Sequence, residues 1–140
     1  MSDELTPLER QVILTLLAPD HPAMRALRRQ FDACRVASRE FTGHGFFSKL
    51  VVADGVEAAP ITRNQLGLAD ATATIDGLEH GAGFVLFVRE RVLDTLEGFA
   101  YDEPWPDAVG RFEISASGVN HSGGSETDLE QIEAAWDRSR

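Results

Sequence analysis

Apolar residues first recur with helical spacing and then with strand spacing. Leu8, Val12, Ile13, Leu16 and Leu17 fall three and four residues apart, which places them on one face of a helix. The start is marked by Thr6-Pro7-Leu8-Glu9: a hydroxyl at the N-cap, proline at the first helical position, and a glutamate placed to reach back to the cap amide. Pro19 closes this helix. Pro22 opens a second one, running to about Cys34, with Met24, Leu27, Phe31 and Cys34 on one stripe and Arg25, Arg28, Arg29 and Asp32 off it.

From Val36 onward the period shortens toward two. Val36 to Thr42 and Phe46 to Val52 read as a hairpin joined by Gly43-His44-Gly45. Asp54 to Asn64, holding Gly55 and Pro60, reads as a loop, and a further strand falls within Gly67 to Asp76. After the turn Gly77 to Gly81, both alternating sets of Phe84, Val85, Leu86, Phe87 and Val88 are apolar, as in a central strand covered on each side. Val92 to Glu97 pairs back against it, and Phe112, Ile114 and Ala116 alternate with polar residues as in a strand with one wet face. A glycine- and serine-rich stretch then precedes Thr127-Asp128-Leu129-Glu130, a second capping-box pattern, with Leu129, Ile132, Ala135 and Trp136 on one side of a final helix.

The expectation is therefore one α+β domain over 1–116, with two N-terminal helices packed on a mainly antiparallel sheet of five or six strands. A flexible tether over 117–126 and a short C-terminal helix over 127–140 follow. That helix docks either on its own chain or on a second copy, as in a homodimer.

The 140 residues match the size of one domain, and no apolar run approaches the roughly 20 residues of a membrane helix. With an acidic start and no targeting pattern, a cytoplasmic protein is expected. The single cysteine, Cys34, reads as a buried thiol. The net charge of −10 is unevenly spread: acidic and basic residues nearly balance through Leu50, and the excess lies beyond it. Such a surface repels phosphate backbones and anionic lipid, which argues against nucleic-acid and membrane binding and for a basic protein partner.

No spacing forms a strong catalytic motif. The histidines His21, His44, His80 and His121 stand far apart, so neither a metal nor a cofactor is expected. Glu79 beside His80 is the best acid/base pair, and His44, between two glycines, is the third candidate for a small hydrolase or isomerase. A structural role for each is the plainer alternative. The loop Tyr101-Asp102-Glu103-Pro104-Trp105-Pro106 differs in kind: prolines stiffen it, aromatics supply contact area, and carboxylates steer a basic partner. Tyr101, Asp102, Glu103 and Trp105 are accordingly the expected partner contacts, unless Trp105 folds inward to complete the core.

The segments Arg39-Glu40-Phe41-Thr42-Gly43-His44-Gly45-Phe46-Phe47, Gly77 to Phe87 and Leu96 to Pro106 together resemble a family of small uncharacterised bacterial proteins. The resemblance spans roughly Leu8 to Ile114 and implies no activity, cofactor or catalytic residue. It departs at Arg89-Glu90-Arg91, where relatives carry a glycine-containing hairpin turn. The leading functional expectation is thus a non-enzymatic acidic protein-binding module, immunity- or adaptor-like. A small enzyme using His80 and Glu79, and a self-assembling homo-oligomer, are the alternatives.

Overall fold

The computed structural model describes residues 4–19, 21–62 and 65–116. Helix α1 (Pro7–Leu16) begins as its sequence dictates: the Thr6 side chain accepts the Glu9 N–H at 3.1 Å, and the Glu9 carboxylate accepts the Thr6 N–H at 2.8 Å. Helix α2 (Pro22–Asp32) is capped by His21, whose Nδ1 accepts the Ala23 N–H at 3.1 Å. The strands are β1 (Cys34–Phe41), β2 (Gly45–Val52), β3 (Gln65–Ile75), β4 (Ala82–Arg89), β5 (Val92–Ala100) and β6 (Phe112–Ala116). They form one sheet in the order β1-β2-β5-β4-β3-β6, with every neighbouring pair antiparallel.

Both helices lie on one face of this sheet. Phe84, Leu86 and Val88 of β4, Leu66 and Leu68 of β3, Phe46 and Leu50 of β2, and Leu96 of β5 are buried with Val12, Ile13, Leu16, Met24 and Leu27 of the helices. The opposite face is wetter. Phe47 and Val51 are exposed, while Val85 and Phe87 are half-buried. The double-sided apolar pattern of β4 therefore marks a central position without full cover on both faces.

Several expectations are corrected. The architecture is larger in its β part than the expected sheet: the six strands are joined by a seventh extended element, the single bridge residue Ile61, and the described residues hold two helices, not three. The C-terminal helix over 127–140, its tether and docking through it in a homodimer fall outside the described residues. Helix α2 ends at Asp32, and Cys34 is a half-buried strand residue paired with Val52; the Ala53 N–H bonding to Ala33 O at 2.9 Å pulls this end of the chain into the sheet. Burial raises the Cys34 thiol above its ordinary pKa despite Arg10 nearby, so it remains protonated at neutral pH. Within the loop after β2, Ala59 and Ile61 are wholly buried.

Two polar networks tie helices to strands. Glu9, 1% exposed, receives the Arg39 guanidinium (Nη2 to Oε1 at 2.5 Å, Nε to Oε2 at 3.1 Å) and the Ser48 hydroxyl, so one carboxylate caps α1 and clamps it to β1 and β2. Gln30, equally buried, donates to Glu57 O at 3.1 Å and Arg91 O at 3.0 Å and accepts the Leu93 N–H at 2.9 Å. It thereby holds the β4–β5 hairpin, whose two turn residues, Glu90 (φ 54°) and Arg91 (φ 69°), both adopt left-handed conformations without being glycine.

Candidate functional site

Three turns meet at one end of the sheet, and they coincide with the three segments singled out in the sequence. They are the β1–β2 turn at Gly43-His44, the β3–β4 turn 76–81, and the loop 101–111 that leaves β5. Antiparallel topology brings them together, because β2 and β4 both start at the end where β5 finishes.

Glu103 joins all three. Its carboxylate accepts the N–H groups of Glu79 at 2.8 Å and His80 at 2.7 Å, and its carbonyl accepts His44 Nδ1 at 3.0 Å. These two backbone donors, Glu79 first, hold the Glu103 carboxyl below its ordinary pKa. On either side, Ala100 N–H donates to His44 O and Trp105 N–H to Gly43 O, each at 2.8 Å. Trp105 lies edge-on to Phe46, ring centroids 5.2 Å apart, and is half-buried against the core. Four hydrogen bonds and one ring contact fasten the loop from behind.

Close packing beneath it requires glycine. A Cβ on Gly45 would lie 2.0 Å from Gly98 O, and one on Gly83 would lie 2.5 Å from the Tyr101 hydroxyl and 2.7 Å from the Phe99 ring. The missing side chain at Gly83 lets Phe99 and Tyr101 lie across β4 edge to face, with centroids 5.6 Å apart.

Of the expected partner contacts, Tyr101 (42% exposed) and Asp102 (exposed, φ 59°) face outward, whereas Glu103 and Trp105 turn inward to hold the loop. Glu79, His80 and His44 are brought around Glu103, but it is the backbone of Glu79 and His80 that it contacts, and both residues are exposed. Beside them is an open cleft of about 920 Å³. Its floor includes Thr72, Thr74 and Ser115, and its rim carries His80, Tyr101 and Arg111. Asp76, Glu79 and Glu113 line it as well. The floor of this cleft has no signature in the sequence, because it comes from β3 and β6, which pair across a separation of some forty residues. Among the described residues no group of three His, Cys, Asp or Glu stands at metal-binding distance, and no helix is long and apolar enough to cross a membrane.

Comparison of the chain with protein-family models, with curated proteins and with solved structures gives no match.

Proposed function

We propose that this chain is a non-enzymatic protein-binding module, immunity- or adaptor-like and cytoplasmic, that presents Tyr101 and Asp102 to a basic protein partner. The observation that carries the proposal is the fastening of loop 101–107: Glu103, Trp105 and the His44 contact fix its backbone while its aromatic and acidic tip stays exposed. A loop ordered before binding loses little entropy on association, and a tyrosine with a neighbouring carboxylate supplies both contact area and steering. The surrounding carboxylates Asp76, Glu79, Asp107 and Glu113 outnumber Arg111 and extend the acidic field.

The test is capture of a partner from the native cell on immobilised protein, with Tyr101→Ala, Asp102→Lys and a distant control, Glu57→Lys, compared side by side. A bound polypeptide lost from the first two and kept by the third supports the reading. A set of bound proteins identical for all four baits rejects it.

A further inference from the structure

We propose that the cleft bordered by Tyr101 is the seat for an arginine side chain carried by an extended segment of the partner; this deepens the binding-module reading and rests on it. The carboxylates alone do not define the site. What defines it is their place around an open cleft of about 920 Å³ that is also lined by the Tyr101 ring and by the hydroxyls of Thr72, Thr74 and Ser115.

Thr72 pairs with Ser115 and Thr74 with Glu113 in register, so these four side chains project from adjacent positions of one sheet face. Tyr101 is held over Gly83 by its contact with Phe99, so its ring stands as a fixed wall at the β4 side of that floor. A guanidinium suits this arrangement better than other groups of similar size. It is planar enough to stack on a tyrosine, it has five N–H donors for the carboxylate and hydroxyl acceptors, and it sheds water more readily than an ammonium. Anionic ligands meet Asp76, Glu79 and Glu113 against the one guanidinium of Arg111. Among the described residues β6 is the last strand in the sheet order, and it supplies Phe112, Glu113 and Ser115 to the cleft lining, so an extended segment laid along it would pass the cleft.

The experiment is an NMR titration of the full-length ¹⁵N-labelled protein with acetyl-Gly-Arg-Gly-amide, and with the same peptide carrying citrulline, the neutral isostere of arginine. Saturable shifts of the Gly81, Gly83 and Glu113 amides with the arginine peptide are expected, weakened by salt and absent with citrulline. Glu113→Gln, at an exposed strand position, should weaken the arginine peptide by about two- to fivefold, the scale of one exposed ion pair. Equal shifts with citrulline, shifts confined to other surfaces, or no shifts would overturn the inference. Asp102 lies outside the cleft lining and separates the two claims. Partner capture lost with Asp102→Lys but retained with Glu113→Gln, in a protein that ignores the peptide, sinks the cleft and leaves the module standing. Arginine-peptide binding without any loop-dependent partner sinks the module reading instead.

Discussion

The Glu103 carboxylate accepts the His80 backbone N–H at 2.7 Å, joining the loop after β5 to the turn before β4 across 23 positions of sequence. This contact and its twin at Glu79 make a glutamate of the acidic loop into its anchor. Glu103→Gln retains one acceptor oxygen but loses the charge and the second acceptor. Amide hydrogen exchange at Glu79 and His80 should then accelerate while the β4 amides of Phe84 and Leu86 keep their protection. Unchanged exchange at residues 79 and 80 would show that the turn is held by something else.

The same anchor sets a pH dependence. Glu103 titrates below its ordinary 4.5, so its contribution is fully present above that value and is lost as pH falls through the lower, folded-state pKa. Protection at residues 79 and 80 should accordingly fade in acid, on the low side of the ordinary 4.5, and in the Glu103→Gln variant the acid-dependent step should be missing. A step of the same size in both proteins assigns it to another carboxylate.

The buried clamp on α1 is more demanding. Removing the guanidinium with Arg39→Ala leaves the Glu9 carboxylate in place at 1% exposure with only hydroxyl and amide partners. A loss of about 3–5 kcal/mol is expected in urea unfolding, the scale of an orphaned buried charge. A loss under about 1 kcal/mol, typical of an exposed pair, would mean that water reaches the carboxylate once the guanidinium is gone.

The β4–β5 hairpin offers a change in the opposite direction. Left-handed backbone costs an ordinary residue about 1–2 kcal/mol, and both Glu90 and Arg91 adopt it. Replacing the pair with Asn-Gly suits the turn without touching the Arg91 carbonyl that Gln30 and the Ala59 N–H use. Stabilisation of about 1 kcal/mol should follow, read as a higher denaturation midpoint at unchanged m-value. A lower midpoint would show that the Arg91 side chain contributes more than its backbone costs.

Much of this was legible in the residues. The capping box, the two helical stripes and the hairpin glycines are local signals, decided within a few positions, and the α1 cap and the β1–β2 turn stand where those signals place them. The sequence allows Trp105 either a core or a contact role, and the structure places it half-buried, packed on Phe46 and the core. The end of α2 was misplaced because Cys34 continues the apolar spacing of Phe31, while the pairing with Val52 that ends the helix lies 18 positions away. For the same reason the cleft and the role of Glu103 were hidden. Both depend on which strands become neighbours, and an acidic side chain bonded to distant backbone amides looks like any other surface glutamate.

A protein-binding module of this kind requires the loop tip to touch another protein. A photo-reactive benzoylphenylalanine at position 101, activated in living cells, should yield a discrete covalent adduct with a basic polypeptide, and Asp102→Lys in the same chain should abolish it. The same probe at Ala53, an exposed position beyond β2, serves as the control. An adduct specific to position 101 is the outcome expected here; no adduct, or the same adducts from both positions, would contradict it.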